Sequence, residues 1–255
     1  MRTLVDFNVD AGESLGRWRL GADRELMPFV TSVSVACGWH AGDPMTMRTS
    51  VRLAKEYGVA LGTHPGLPDL VGFGRRAMNL TPDEAATACL YQLGALTALA
   101  AVDGVQISHV KPHGALYGMT MKSPDYTEAI TDVVMAVDPS LIIVLLAGPT
   151  ADVAAKRGAR VAREAFADLE YNDEGHIIIE PDPQAKDPDG AAQKMVDILN
   201  GKVQTISGQW LEVDADTVCI HGDRPNAVEI AAAIRKRLDS EGVAVRPMRE
   251  VVAAG

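Results

Sequence analysis

Short runs rich in Val, Ile and Ala alternate along the chain with longer stretches in which apolar residues recur at helical spacing. The runs that predict buried strands are TLVDFNVD (3–10), TSVSVACGWH (31–40), VALGTHPG (59–66), VQISHVKPHG (105–114), LIIVLLAG (141–148), ARVAREAFAD (159–168) and DTVCIHGD (216–223). The intervening stretches predict helices over 45–57, 82–101, 125–137, 150–157, 190–199 and 226–240. Strands that alternate with helices of this length pair in parallel through right-handed crossovers.

Capping residues mark several of the predicted helix ends. Asp43-Pro44 and Thr81-Pro82 each combine a capping side chain with a proline suited to the first helical turn. Gly58 and Gly158 stand where two of the helices should end. These signals support the alternation of strands and helices.

Polar residues at the strand ends favour one arrangement of the sheet. Six of the seven runs finish with titratable residues, namely Asp10 and Glu13, His40 and Asp43, His64, His109 with Lys111 and His113, Glu164 and Asp168, and His221 and Asp223. In a closed barrel all these ends converge on one mouth, whereas an open sheet gathers only those near its switch point. We therefore predict one domain over 1–255, a seven-stranded parallel (β/α) barrel, with a loop or lid around 169–188 and a small hairpin around 201–213.

Composition narrows the class of protein. The 255 residues, 47% of them hydrophobic, suffice for one α/β barrel, and the net charge of −10 argues against a nucleic-acid binder. The three cysteines are far apart and form no CxxC pair, so no disulfide framework or structural zinc site is predicted. The acidic N-terminal segment does not resemble a signal peptide, and no apolar run approaches the length of a membrane span. A cytoplasmic protein is expected.

The stretch ISHVKPHG (107–114) contains two of the six histidines of the chain. His109, Lys111 and His113 occupy alternate positions, so an extended strand directs all three to one side of its sheet. A single histidine is usually structural, yet every histidine except His176 falls at a predicted strand end. The set predicts a shared site.

The chemistry of that site is not given by a standard motif. The chain contains no phosphate-binding loop, dinucleotide fingerprint, zinc-protease helix or nucleophile elbow. Histidine, carboxylate and lysine side chains can act as general acids or bases, as electrostatic stabilisers or as metal ligands, and the spacing leaves metal binding open. Arg75 and Arg76, in the glycine-rich GFGRR, could clamp a carboxylate or phosphate or could equally form a solvated loop.

Several sequence blocks, in chain order, are similar to those of one family. NVDAGES, SVACGWHAGDP, GTHPGLPDLVGFGRR, HVKPHGALY, EAFAD and CIHGD resemble the LamB/YcsF family over residues 4–240. The resemblance implies a barrel related to glycoside hydrolases and deacetylases. It also implies hydrolysis of 5-oxoproline to L-glutamate with ATP, as the A subunit of a cytoplasmic 5-oxoprolinase with partner subunits B and C. Magnesium would accompany the ATP, which is shared with the partners.

One segment departs from the family pattern. Family members tend to carry an arginine after the EAFAD aspartate and a basic residue in the following segment, where this chain has Leu169 and EPDPQAKD. Both changes lie in the predicted lid. They could alter how a substrate carboxylate is held, so another lactam stays open as the substrate.

The resemblance implies roles for the strand-end residues. The expected catalytic residues are Asp10, His40, His64, Lys111, His113 and Asp223, and the expected substrate-binding residues are Glu13, Arg75, Arg76, His109, Glu164, Asp168 and His221. Lys111 is expected to contact phosphoryl or carbonyl oxygens, with its pKa lowered by burial and by neighbouring protonated histidines. Asp10 or a histidine would activate water.

Changing any one of the expected catalytic residues to alanine should lower turnover at least about 100-fold and leave the fold nearly intact. Changing His176, which lies away from the strand ends, is the control and should have little effect.

Two alternatives remain at this stage. Asp10 with His40, His64 and His113 could bind a metal in a deacetylase or amide hydrolase that acts alone. The chain could instead be a non-catalytic regulatory subunit.

Overall fold

A closed parallel barrel forms the centre of the molecule in the computed structural model, which describes residues 1–254. Within that range the barrel consists of β1 (Leu4–Ala11), β2 (Ser32–Ala36), β3 (Ala60–His64), β4 (Ile107–Val110), β5 (Ile142–Leu146), β6 (Arg160–Phe166) and β11 (Thr217–His221). These strands lie side by side in that order, and β11 pairs again with β1 to close the ring. The predicted seven-stranded barrel is confirmed.

Helices surround the barrel and follow the predicted alternation. They are α1 (Asp23–Leu26), α2 (Pro44–Tyr57), α3 (Pro82–Val102), α4 (Gly114–Lys122), α5 (Pro124–Val137), α6 (Pro149–Lys156), α7 (Pro188–Leu199), α8 (Ala227–Ser240) and α9 (Met248–Ala254). Asp43 accepts hydrogen bonds from the first-turn amides of α2, and Thr81 forms a capping box with Glu84. Helix α4 was not predicted, because the chain turns directly from His113 into it.

Five short strands lie outside the seven-stranded barrel in the described part of the chain. β7 (Glu170–Tyr171) pairs antiparallel with β8 (Ile177–Ile178) inside the 169–188 segment. β9 (Lys202–Gln204) pairs antiparallel with β10 (Trp210–Glu212) inside 201–213. β12 (Ala244–Val245) adds a parallel pairing to the start of β1.

Helix α3 corrects one expectation from the sequence. By length and composition it could cross a membrane, since an 18-residue window within it has a mean hydropathy of 1.5. In this fold α3 packs on the barrel instead and buries Cys89, Leu93 and Leu96 on its inner face. Its apolar composition is that of a helix covering a barrel.

Alternate residues of the strands point into the barrel, and several of them are polar. Asn8 donates to Glu164 Oε1 at 3.1 Å, and Ser34 Oγ lies 3.2 Å from His109 Nε2 across the interior. The other residues of the strands, such as Phe7, pack outward in the main apolar core with residues of the helices. The helices therefore supply the hydrophobic stabilisation, and the interior is free to carry charged groups.

Asp6, at the N-terminal end of the interior, provides a test of stability. Its carboxylate accepts from Thr31, Ser32 and Thr217, and burial raises its pKa to about 6. We expect Asp6→Ala to lower the free energy of unfolding by about 2 kcal/mol or more, since it leaves buried hydroxyl groups without their acceptor.

Asp6→Asn is the matched control, since an amide keeps an acceptor oxygen without the buried charge. Urea denaturation of both variants gives the comparison. Equal stability of the two variants would contradict this role of the acceptor oxygens.

Candidate active site

The Lys111 side chain lies at the centre of the upper barrel interior and is almost fully buried. Its Nζ is 2.9 Å from Asp10 Oδ1, 2.9 Å from Glu164 Oε1 and 2.9 Å from Cys219 Sγ, with Asn8 Oδ1 at 3.4 Å. The partners come from β1, β6 and β11, so closure of the barrel assembles the cluster.

The charge of Lys111 corrects the sequence-based expectation. Burial by itself would lower the pKa of the ammonium, but Asp10 above all, together with Cys219 and Glu164, holds the pKa well above its ordinary value. The expected low pKa was wrong. Lys111 is a permanent cation at neutral pH, suited to stabilising negative charge and not to acting as a base.

Asp10 joins Lys111 to two histidines. Its Oδ2 is 3.2 Å from His64 Nε2 and 3.8 Å from His221 Nε2. Burial would raise the pKa of Asp10, but His64 and Lys111 hold it well below the ordinary value. Asp10 is therefore a carboxylate, fixed between a cation and two imidazoles.

Four buried side chains from the ends of β1 to β4 meet beside Asp10. The His40 and His113 rings stack with centroids 3.7 Å apart, and the His64 ring stands perpendicular to both. Glu13 Oε1 is 3.5 Å from His40 Nε2 and 3.9 Å from His113 Nδ1. All four side chains are at least nine-tenths buried.

The electrostatics of this corner differ from those around Lys111. Burial lowers the pKa of His40 and of His113 well below the ordinary histidine value, so both rings are neutral. Burial, with the carboxylates of Asp223 and Asp10 nearby, raises the pKa of Glu13 well above its usual range. The corner thus combines neutral imidazoles with a carboxyl group that keeps its proton unless a cation lies beside it.

His221 is oriented from behind by Asp168. Its Nδ1 is 3.1 Å from Asp168 Oδ1, while Arg224 Nε donates to Asp168 Oδ2 at 2.7 Å. Burial would lower the pKa of His221, but Asp168 raises it above the ordinary value. His221 is thereby favoured as an imidazolium whose Nε2 faces Asp10, which suits a proton donor.

Asp168→Asn tests this orientation. Loss of the carboxylate removes the main cause of the raised pKa of His221, so we expect the His221 titration and the alkaline limb of the pH–rate profile to move to lower pH. The titration is followed by NMR of the ring protons, assigned with His221→Ala. An unchanged titration would show that Asp168 does not control His221.

The same pair sets a pH window for stability. His221 lowers the pKa of Asp168, against the effect of burial. This shift stabilises the fold above about pH 3.9, the pKa of an unfolded aspartate, and the stabilisation is lost as the pH falls toward the folded pKa. The raised pKa of His221 contributes its full stabilisation of the fold below about pH 6.5, the pKa of an unfolded histidine. This stabilisation is lost as the pH rises through the pKa of His221 in the folded protein.

A cavity opens above these groups, between the barrel mouth and the 169–188 segment. It is lined by Asp10, His64, Arg75, Lys111, Pro112, His113, Gly114, Tyr117, Phe166, Leu169, Ile177, Ile179, Glu180, Pro183, His221 and Arg224. Its floor is charged and its outer wall, from the 169–188 segment, is largely apolar. The chemistry of this lining suits a small ligand with one polar and one apolar side.

Arg224 fastens the 169–188 segment over the cavity. Its NH1 donates to Glu180 Oε2 at 2.9 Å and to the Gln184 carbonyl at 2.7 Å, and Lys186 Nζ lies 2.8 Å from Glu180 Oε1. Leu169, one of the departures from the family pattern, is buried in the cavity wall.

The two arginines of GFGRR lie in different surroundings. Arg75 borders the cavity and donates to Asp223 Oδ2 at 2.7 Å and to the Glu180 carbonyl at 3.1 Å. Arg76 is directed away, with a side chain that is 65% exposed and paired with Asp69. Asp223 thus contacts the edge of the cavity through its ion pair with Arg75, whereas Arg76 lies outside the cavity.

Three other expected substrate-binding residues lie beneath or behind the cavity. His109 is fully buried below Lys111, between Ser34 Oγ and Ser108 Oγ, and burial lowers its pKa to about 3. Glu164 is fully buried under Lys111, and Asp168 is buried behind His221. These three side chains do not line the cavity and instead contact the strands and side chains that do.

Several cavity residues were missed from the sequence, and three of them lie in or next to the polar sequence blocks. Tyr117 follows the HVKPHG block, Phe166 is the aromatic residue of EAFAD, and Arg224 comes directly after CIHGD. The Tyr117 hydroxyl is buried and makes no well-formed hydrogen bond within residues 1–254, and burial together with the nearby Glu164 carboxylate raises its pKa well above the usual value. Adjacency to the polar blocks was the available signal.

Comparison with known proteins gives a consistent picture. The LamB/YcsF family profile matches residues 5–253. The A subunit of a 5-oxoprolinase from Pyrococcus furiosus is 49% identical over 252 residues, 97% of this chain and 99% of that protein. The crystal structure of a lactam utilization protein from Thermus thermophilus is 46% identical, with a TM-score of 0.87 over 96% of this chain and 99% of that one.

A more distant structure shares the fold alone. A polysaccharide deacetylase from Bacillus cereus is 14% identical, with a TM-score of 0.51 over 96% of this chain and 92% of its own. The full-length family match and the closely similar relatives agree with the sequence blocks noted above. The chain belongs to the LamB/YcsF family.

Proposed function

We propose that this chain is the A subunit of an ATP-dependent 5-oxoprolinase, which opens the lactam ring of 5-oxoproline to give L-glutamate together with cytoplasmic partner subunits B and C. The relatives, named as the A subunit of 5-oxoprolinase and as a lactam utilization protein, support a 5-oxoprolinase-related hydrolase role. The observation that carries the proposal is the buried Lys111 ammonium, paired with Asp10 on the floor of a small half-apolar cavity.

Two groups are available to the lactam carbonyl oxygen. The Tyr117 hydroxyl is a donor without a partner in the described part of the chain. Lys111 uses one N–H on the Cys219 sulfur, a weak acceptor that a substrate oxygen can displace. Together they would position that oxygen and stabilise the negative charge of the phosphoryl group that it receives.

ATP makes the amide more reactive in this scheme. The carbonyl oxygen attacks the γ-phosphorus and ADP leaves, and one water adds to the carbon of the resulting imidate phosphate. The C–N bond then breaks to give the acyl phosphate, which a second water hydrolyses to glutamate and phosphate. The products balance one ATP, one lactam and two waters.

The remaining roles follow from the charges. His221 gives its proton to the departing ring nitrogen, since Asp168 favours its imidazolium form. Asp10 holds the attacking water, because its low pKa suits orientation better than proton storage. Arg75, at the cavity edge, is the group for the substrate carboxylate.

Tyr117→Phe tests the unpartnered hydroxyl. Loss of one neutral hydrogen bond to the reacting oxygen should lower turnover about 10-fold, while the loss of stability should stay within about 1 kcal/mol, since the hydroxyl has only Glu164 as a neighbouring acceptor. Steady-state kinetics and a thermal melt give both quantities. Unchanged kinetics would remove Tyr117 from the scheme.

The function is tested by reconstitution. The chain is incubated with 5-oxoproline, with and without ATP and the B and C subunits, and glutamate release is followed. We expect release only from the complete mixture. Robust turnover by the isolated chain without ATP would overturn the proposal.

A panel of other lactams tests the consequence of Leu169. If 5-oxoproline is clearly the best substrate, the idea that this chain acts on a different lactam is wrong.

A second candidate, a metal-dependent amide hydrolase or deacetylase acting alone, is favoured by the cluster of Glu13, His40, His64 and His113. It predicts ATP-independent hydrolysis by the isolated chain that is lost on chelation.

A further inference from the structure

The four side chains Glu13, His40, His64 and His113 each direct one potential ligand atom to a common point. These ligand atoms lie within 4.8 Å of one another, and all four residues are buried. They come from four neighbouring strand ends, so the barrel itself brings them together. The lactam scheme above uses none of them as a reacting group.

The hydrogen bonds of two histidines determine which nitrogen carries the proton. His64 Nδ1 is 2.8 Å from the Lys111 carbonyl, and His113 Nε2 is 2.8 Å from the Phe73 carbonyl. A carbonyl oxygen can only accept, so each of these nitrogens carries the hydrogen of the neutral ring. In the neutral rings the other nitrogens, His64 Nε2 and His113 Nδ1, carry lone pairs, and a proton added to His64 Nε2 has Asp10 Oδ2, at 3.2 Å, as a second acceptor.

Those two lone-pair nitrogens face each other at 3.0 Å. Two acceptors at this distance repel each other unless a cation lies between or beside them. The cation can be a shared proton or a metal ion. Histidine ligands of metal ions commonly donate their second N–H to a backbone carbonyl, which is the arrangement of both rings here.

His40 supplies an independent observation. Both of its ring nitrogens are buried and have no hydrogen-bond partner within residues 1–254. Glu13 Oε1, at 3.5 Å from Nε2, is the nearest acidic oxygen but does not form a hydrogen bond with it. A buried polar group without a partner costs about 1–3 kcal/mol, so an unassigned ligand would account for this ring.

The surrounding backbone leaves room for the rings and little else. A Cβ on Gly66 would come within 2.4 Å of His40 Nδ1, and one on Gly74 within 2.6 Å of His40 Cβ. The two loops therefore need glycine at these positions for the backbone to pass close to His40, which stacks on His113.

We propose that Glu13, His40, His64 and His113 bind one divalent first-row transition-metal ion, with zinc the best fit. The separations of 3.0 to 3.9 Å that link His64, His113, Glu13 and His40 are close to the roughly 3.3 Å between ligands in a tetrahedral zinc site with bonds of about 2.0–2.1 Å. An imidazole-rich set disfavours magnesium, so the site is distinct from any magnesium that accompanies ATP.

Metal binding by tag-free, chelator-treated protein tests the inference without reference to lactam activity. Cobalt(II) and zinc(II) are the probes, measured by calorimetry, elemental analysis and the visible absorption of bound cobalt. We expect one equivalent per chain. His40→Ala and Glu13→Gln should weaken binding at least about 10-fold, and His176→Ala, which removes a histidine outside the cluster, should bind like wild type.

Thermal melts with and without metal distinguish loss of metal binding from loss of folding in the variants. Bound metal should raise the melting temperature of the wild type and of His176→Ala, and not that of His40→Ala. Absence of stoichiometric binding by the wild type, or equal binding by wild type and His40→Ala, overturns the proposal. In that case the two facing nitrogens share a proton.

Discussion

Replacing Lys111 by methionine should lower turnover of 5-oxoproline by the complete complex at least about 100-fold, the loss expected when a group that stabilises developing charge is removed. Methionine keeps most of the side-chain volume and removes only the ammonium. The effect should be largely on kcat, because the negatively charged phosphoryl group reaches the lactam oxygen beside the ammonium only during the reaction.

The structure changes the expected effect of Lys111 substitutions on stability. Asp10 and Glu164 both depend on this ammonium, so its loss leaves two buried carboxylates without their cation. Breaking a buried pair in this way costs about 3–5 kcal/mol. A nearly intact fold, which the sequence predicted for the alanine variant, is therefore no longer expected.

A double variant separates charge balance from catalysis. Lys111→Met with Glu164→Gln removes one positive and one negative charge, so urea denaturation should show stability regained relative to Lys111→Met alone. Turnover should stay low. If the double variant regained turnover along with stability, Lys111 would be a structural cation only.

Asp10→Asn is expected to have the second large effect, a loss of turnover of about 100-fold or more. The amide can still accept from Lys111, and its NH2 can donate to His64 Nε2, so the geometry should persist. The negative charge that orients water and faces His221 is lost. Stopped glutamate assays on the assembled complex, with a thermal melt beside them, measure both consequences.

Asp43→Asn is the matched control for this change. Asp43 caps α2 through Oδ1, and asparagine keeps that acceptor, so turnover should stay close to wild type. Stability should fall by about 1–2 kcal/mol, because an amide nitrogen cannot accept the hydrogen bonds that Oδ2 takes from Gly16 N and Thr46 Oγ1. Asp10→Asn with wild-type turnover would remove the carboxylate from the mechanism.

The strand order and the inward direction of key side chains could be predicted from local pattern. His109, Lys111 and His113 do point to one side, as their alternate positions required. The ends of the strands do converge on one mouth. Both results follow from a period of two and from parallel closure, which need no knowledge of distant contacts.

The charge states could not be predicted in the same way. The sign of the pKa shift of Lys111 depends on Asp10 and Glu164, which reach it from other strands. The sequence did not indicate that these two carboxylates, and not protonated histidines, would be its nearest neighbours. A pKa in the interior is set by such long-range pairs.

Arg224 and helix α4 were missed for related reasons. The importance of Arg224 depends on Glu180 and Gln184, some 40 residues away along the chain, and on their folding over the mouth. Helix α4 begins immediately at Gly114, whose φ of +50° allows the abrupt turn that a strand-to-loop pattern conceals.

The central claim is that lactam ring opening takes place at the Lys111–Asp10 pair of this chain and not on a partner subunit. The most direct measurement is glutamate release per assembled complex in which only this chain is varied, with ATP and 5-oxoproline saturating. We expect full turnover for wild type and His176→Ala, and at least about 100-fold less for Lys111→Met and Asp10→Asn in complexes of the same composition. Wild-type turnover by assembled complexes that carry either of these two changes would contradict it and would make the chain a regulatory subunit.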